Sequence, residues 1–220
     1  MHSLNEEYLG EIQLKKRSDL HLARKLFHAA GIGFIIGLYS VLPRDIAIMA
    51  MSITCLIFVP IDFLRTKSNV VNKLFIRFFS KFLRRSEAQH LTGSSYLGVS
   101  VLILIAFFPR DITILALSML ALGDPTASLI GVMYGKDKLI GEKSLQGSLA
   151  CFFVCFFIAI IYYFSNNLMT ERLFLVSMVS GLIGAFSELI PIGKLDDNFS
   201  FPILTAILLY GTFILFGGFV

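Results

Sequence analysis

Charge is what this sequence is short of. Only 15% of its 220 residues are Asp, Glu, Lys or Arg, and 56% are hydrophobic, against about 25% charged and 45–50% apolar in a soluble globular domain. With a mean hydropathy of +0.79, the surplus apolar surface belongs in lipid, which sets aside a soluble fold. Cysteine is scarce as well. Cys55, Cys151 and Cys155 all fall inside apolar runs and no histidine accompanies the last two, so neither a disulfide framework nor a zinc site is expected. The first 25 residues are polar and contain no apolar core of a secretory leader, so no cleavable signal is expected. There is no internal duplication, no separate soluble domain, no G-x-x-x-x-G-K-[ST] phosphate loop and nothing that points to nucleic acid as a partner.

What is present is a series of apolar segments. Seven come near the ~20 residues that cross a bilayer as a helix: Leu20–Leu42, Ile46–Leu64, Ser95–Phe108 (beginning at Leu91), Ile112–Ile130, Ser148–Phe164, Leu173–Ile190 and Phe201–Phe219. They predict an all-α integral membrane protein of about seven transmembrane helices. It forms one domain over 20–220, behind a mixed-charge arm over 1–19 that is partly helical at Glu6–Lys16. Two stripes of small residues, Ala29/Gly33/Gly37 and Ser177/Gly181/Ala185, are of the kind that lets helix backbones approach in lipid. Between Arg65 and Arg85 there are seven Lys or Arg and no acid. Val70, Val71, Leu74, Phe75, Phe78, Phe79, Phe82 and Leu83 follow helical spacing there, with Lys73, Arg77 and Lys81 opposite them. This reads as a basic amphipathic helix over about 68–85 lying among anionic lipid headgroups; a basic helix docked on protein is the alternative.

Loop charge sets the orientation. Alternate loops carry sixteen Lys/Arg against three, which places the N-terminus in the cytoplasm and the C-terminus on the opposite side. His28, Asp62, Thr92, Ser94, Asp124, Glu188, Asp196, Asp197 and Asn198 then gather at the cytoplasmic ends of their helices. The site belongs on the cytoplasmic face of a bacterial inner membrane or of the endoplasmic reticulum.

Four groups of residues could carry chemistry. Asp124 sits in an apolar segment, where a carboxylate at the helix centre costs about 2.5–3.5 kcal/mol on insertion scales. It reads as a metal ligand or phosphate-site organiser, with a packing residue paired to a lysine as the alternative. Gly123 and Pro125 are expected to loosen the helix around it. Lys136, Lys138 and Lys143 follow, interleaved with Gly131, Gly135, Gly141 and Gly147. Amines, the Ser144 region and the free amides at Gln146–Ser148 suit phosphates, and ordinary loop charge is the other reading. Asp196-Asp197-Asn198, with Glu188 upstream, offers a second metal site or general base, or else a helix N-cap. Arg24 and His28, with Lys25 between, share a helix face that could reach a phosphate, or they snorkel at a helix end.

Several stretches together resemble the polyprenol kinase family, which includes dolichol kinase, phytol kinase and the yeast-type CTP-dependent diacylglycerol kinase. They are R-K-L-F-H (Arg24–His28), L-T-G-S-S-Y (Leu91–Tyr96), G-D-P-T-A-S-L-I-G (Gly123–Gly131), G-K-D-K (Gly135–Lys138), E-K-S-L-Q-G-S-L-A (Glu142–Ala150) and L-D-D-N-F-S-F-P (Leu195–Pro202). The resemblance implies transfer of the γ-phosphate of a nucleotide, typically CTP, to a lipid alcohol of the diacylglycerol, polyprenol or phytol type. By position it implies roles for Arg24, Lys25, Asp124, Gly131, Lys136, Lys143, Ser144, Gly147, Asp196, Asp197 and Asn198. Pro125 and Thr126 depart from the small residues usual there. In the expected mechanism Mg²⁺ is held by Asp124 and the nucleotide, with Asp196, Asp197 or Glu188 as further ligands. Lys136, Lys138, Lys143 and Arg24 position phosphates. Asp196, Asp197, Glu188 and His28 are candidates for taking the hydroxyl proton, Asp197 foremost. A homo-oligomer is compatible with this reading. The central block is more distantly similar to the phosphatidate cytidylyltransferases, whose longer C-terminal signature is missing here. An ion-coupled transporter is the remaining alternative, although its acids should be spread across the bilayer rather than crowded at one end.

Overall fold

The computed structural model describes residues 22–79, 83, 85–193 and 195–219. The 1–19 arm with its expected Glu6–Lys16 helix lies outside the described residues, as do Lys81 and Lys194. The apolar segments form α1 (Leu22–Val41), α2 (Arg44–Lys67), the short α3 (Asn69–Phe79), α4 (Gly93–Phe107), α5 (Arg110–Tyr134), α6 (Leu145–Ser165), α7 (Leu173–Leu189) and α8 (Asp197–Phe216). The architecture is that of an all-helical membrane protein. Five helices, α2, α5, α6, α7 with the 3-10 turn before it, and α8, are long and apolar enough to cross a bilayer, while α4 is apolar but has only 15 residues. Leu56, Phe107, Phe157 and Ile214 are among many large apolar side chains left more than half exposed, as lipid-facing positions would be.

At the centre stands α5, which buries Ile112, Leu115, Ala116, Met119, Leu120, Gly123 and Ala127. It packs on α6 most extensively, and also on α8 and α1; α6 in turn packs on α7. Glycines set these approaches. A Cβ on Gly123 would lie 2.9 Å from Cys155 Sγ, and one on Gly147 would lie 2.7 Å from the Ala127 carbonyl and 3.4 Å from Gly131 Cα. Gly181 of the second small-residue stripe likewise faces Phe152 and Phe156. In lipid, where apolar burial drives little helix association, such close backbone approach is a main source of packing. Gly147→Ala is therefore expected to destabilise the protein by about 1–3 kcal/mol, seen as a lower melting temperature in detergent.

One end of the bundle is tied by two of the three arginines of its short loops. Arg44 donates to the carbonyls of Ile105 (2.9 Å) and Ala106 (2.9 Å) at the end of α4. Arg110 donates to those of Ser40 (3.3 Å) and Leu42 (2.7 Å) at the end of α1, with its guanidinium over the Tyr39 ring. Both satisfy carbonyls that a helix C-terminus leaves open.

Four expectations need correction. The α1 stripe does not meet a neighbour: Gly33 and Gly37 are exposed and a Cβ on either would touch nothing within 4 Å, because α1 docks through Ile32 and Tyr39 on another face. The helix around Asp124 is not broken. α5 runs unbroken through Pro125, whose missing N–H removes only the bond to the Ala121 carbonyl. The all-α expectation misses a small antiparallel hairpin in the lysine-rich segment, where Lys138–Ile140 (β1) pairs with Lys143–Ser144 (β2). Gly141 at φ +59° makes its turn, and Gln146 braces it by donating to Asp137 Oδ2 (2.7 Å). Finally, the amphipathic helix expected over about 68–85 is helical over Asn69–Phe79, and Arg85–Ala88 form a separate 3-10 turn.

Candidate active site

All the polar groups of interest lie at the end of the bundle opposite Arg44 and Arg110. The first cluster joins β2, α6, α7 and α8. Ser144 caps α6 by accepting from Gly147 N (3.2 Å), which fixes the neighbouring Lys143. The Lys143 ammonium donates to the Glu188 carbonyl and lies 3.5 Å from Glu188 Oε1 and 3.8 Å from Asp197 Oδ1. Ser148 in the first turn of α6 donates to Glu188 Oε2 (3.3 Å). Asp124, half-buried on α5, is near enough that its charge acts on Glu188. One amine thus stands between carboxylates of α7 and α8, and Asp124 of α5 acts on the first of these.

The second cluster holds the loop between α3 and α4 against α1 and α8. Arg65, 1% exposed, donates to Asp62 Oδ1 (2.7 Å), to Asn72 Oδ1 (2.8 Å) and to the carbonyls of Glu87 (2.9 Å) and His90 (2.8 Å), and lies over the Phe75 ring. Asp62 also accepts from Thr92 N (2.8 Å), Thr92 Oγ1 (3.0 Å) and Ser95 Oγ (2.5 Å), which pins the start of α4. Glu87 accepts from Arg24 Nη2 (2.8 Å) and from Gly93 N (2.9 Å). Gly93 has no room for a Cβ, which would collide with Asn198 Nδ2 and come within 3.1 Å of Arg24 Nη2. Asn198 follows Asp197, so the two clusters are adjacent. Its carbonyl, left without a helical partner because residue 202 is proline, accepts from Ser100 Oγ (3.0 Å).

The sequence-derived residues are distributed as follows. Lys143, Glu188 and Asp197 meet in the first cluster, with Asp124 acting on Glu188, and Arg24 and Asn198 meet in the second. Lys25 and His28 lie half-buried on the same end of α1 as Arg24. Asp196 is the N-cap of α8, with Oδ1 accepting from Asn198 N (3.0 Å). Gly131 and Gly147 face each other across the α5–α6 contact, and Gly135 ends α5 against Ser144. Lys136 and Lys138 are exposed around the hairpin, where Lys138 donates to the Glu142 carbonyl (3.0 Å). Sequence reasoning missed Glu87, Arg65 and Ser148. Asp62 and Arg65 at i,i+3 spacing gave a signal, and so did Glu87 as the first acid after a run of cations.

Among the described residues, no group of three or more His, Cys, Asp or Glu side chains forms a metal cage. Mg²⁺ commonly binds through one or two carboxylates together with substrate phosphates and water. Asp124 of α5 and Glu188 of α7 bring carboxylate oxygens, the hard donors that Mg²⁺ takes, to the same end of the bundle.

The chain is 28% identical to CTP-dependent diacylglycerol kinase 1 of Eremothecium gossypii, over 96% of this chain and 71% of that protein. It is 30% identical to CTP-dependent diacylglycerol kinase 1 of Schizosaccharomyces pombe, over 68% and 73% of the two chains. It is 31% identical to the chloroplastic phytol kinase 1 of Arabidopsis thaliana, over 64% and 50%. No family model and no solved structure matches it.

Proposed function

Because the chain belongs to the polyprenol kinase family of lipid kinases, we propose that it transfers the γ-phosphate of a nucleoside triphosphate, CTP foremost, to the hydroxyl of a membrane lipid alcohol such as diacylglycerol. The observation that carries this reading is the first cluster. Lys143 meets Glu188 and Asp197 from separate helices, with Asp124 acting on Glu188, at one end of a bundle whose other surfaces suit lipid. With α1 and α4 counted as spans the bundle has seven, and the loop charges then turn this end to the cytoplasm, where nucleotides are. α3 supports the same placement: Val70, Leu74 and Phe78 are exposed beside Lys73 and Arg77, as on a helix at a headgroup surface.

Lys143, held by Glu188, and Arg24, held by Glu87, are the cations that orient phosphates. The N-terminus of α6 adds backbone donors and the positive end of the helix dipole. Lys136 and Lys138 on the exposed hairpin reach the outer part of the nucleotide. Mg²⁺ bound by Asp124 and Glu188 would neutralise charge on the transferred group. Asp197, beside Lys143, accepts the proton of the lipid hydroxyl as its oxygen bonds to the γ-phosphorus and the nucleoside diphosphate leaves. Catalysis of this type is mostly alignment and electrostatics, which suits a site of fixed charges with no nucleophile of its own.

Purified protein in nanodiscs containing diacylglycerol, supplied with γ-labelled CTP or ATP, tests the reading. Label in extracted lipid is expected, more strongly from CTP. Label in pyrophosphate would replace it with CDP-lipid synthesis, and label remaining in the nucleotide would sink both.

A further inference from the structure

A crevice opens between α1 and α2 and is floored by α4. α1 leans on α5 and touches α2 little, whereas α2 packs along α4. The gap so left has a volume of about 240 Å³ and is walled by Phe27, Ile35, Met51, Phe58 and Leu97. Phe27 and Phe58 are 59% and 37% exposed, so the crevice is open on the side that faces lipid. Its volume exceeds the ~150 Å³ of an apolar cavity that takes up benzene. That is room for a stretch of one hydrocarbon chain.

Its polar end is specific in character. His28, Ser94 and Ser95 line it, with the Ser95 hydroxyl bound to Asp62, so an imidazole and the Ser94 hydroxyl are the groups left at this end. Groups of this kind suit a neutral hydroxyl better than a phosphate or a quaternary amine. His28 is one helical turn from Arg24, and Ser94 follows Gly93, which lies against Asn198 and Arg24 Nη2. The polar end of the crevice therefore adjoins the corner where the two charged clusters meet.

We propose that this α1–α2 crevice binds one chain of the acceptor lipid alcohol and delivers its hydroxyl at His28 and Ser94 to the charged site. The hydroxyl's identity as a phosphate acceptor rests on the lipid-kinase reading; the crevice as a chain-binding site does not. Gly31 offers a way to close it. It lines the crevice, and a Cβ there would meet nothing within 4 Å. A Phe side chain therefore starts from open space and projects into the crevice, and removing a mid-helix glycine favours the helix.

The test is photolabelling with a diazirine-bearing diacylglycerol in phosphatidylcholine nanodiscs, mapped by peptide mass spectrometry and paired with kinetics. Label is expected on α1 and α2 around Phe27, Met51 and Phe58. Unlabelled diacylglycerol should compete it away, and added phosphatidylcholine should not. Gly31→Phe should remove this label and raise the acceptor KM about tenfold or more, with the CTP KM unchanged. Several results would overturn the proposal: label spread evenly over the outer helix faces, label concentrated near Leu91 and Phe199 at the smaller cavity by α8, equal competition by phosphatidylcholine, or a Gly31→Phe variant that keeps both label and KM. Crevice labelling without phosphoryl transfer to any alcohol would uphold the crevice and remove the kinase reading.

Discussion

Asp124→Asn is expected to lower kcat by about 10²–10³-fold, the usual loss when one preorganised electrostatic group is removed, while leaving the protein as stable as before or more so. The substitution keeps volume and shape and deletes one charge. That charge is half-buried on a membrane-spanning helix, where keeping a carboxylate ionised is costly. A residue retained for packing would show the reverse pattern, with activity falling only as far as stability falls. The measurement is γ-phosphate transfer from CTP to lipid, beside a melting curve of the same preparation. Near-full activity would take Asp124 out of the reaction. A matched loss of activity and melting temperature would make it structural.

The largest effect on stability is expected at Arg65. Replacing it by Leu strands Asp62 in a site where both side chains are 1% exposed, and breaking one partner of a buried pair costs about 3–5 kcal/mol. It also removes donors to Asn72 and to the carbonyls of Glu87 and His90, which hold the α3–α4 loop in place. The purified variant should melt far below the parent. Asp62→Asn in the same chain should recover part of the loss, because the amide needs no cation. A shift no larger than that of a surface arginine, within about 0.5 kcal/mol, would show that the network contributes little.

Most of the helices were legible because lipid demands long apolar runs, and those runs ended within a few residues of the helix ends found. Where polar side chains decide an element's limits, the sequence was less informative. α4 starts at Gly93 because Thr92 and Ser95 are bound to Asp62, thirty residues earlier in the chain, and no local pattern reports that. Pro125 suggested a break, yet α5 continues as one helix through it. The gathering of Asp124, Glu188 and Asp197 could be anticipated from their shared end of the bundle. Lys143 as the amine between them could not be singled out from Lys136 and Lys138, since only the hairpin turns one of the three inward. Glu87 stood out only as the first acid after a run of cations, and its partners Arg24 and Gly93, from two different helices, left no local pattern.

The bond from Ser100 to the carbonyl of residue 198 has a practical consequence. Because α4 grips the main chain there and not the amide, side chains at 198 can be exchanged while that anchor persists. Asn198→Ala and Asn198→Asp thus report on what the amide contributes beside Arg24 rather than on whether α8 stays docked, which makes position 198 an unusually clean place to separate chemistry from architecture.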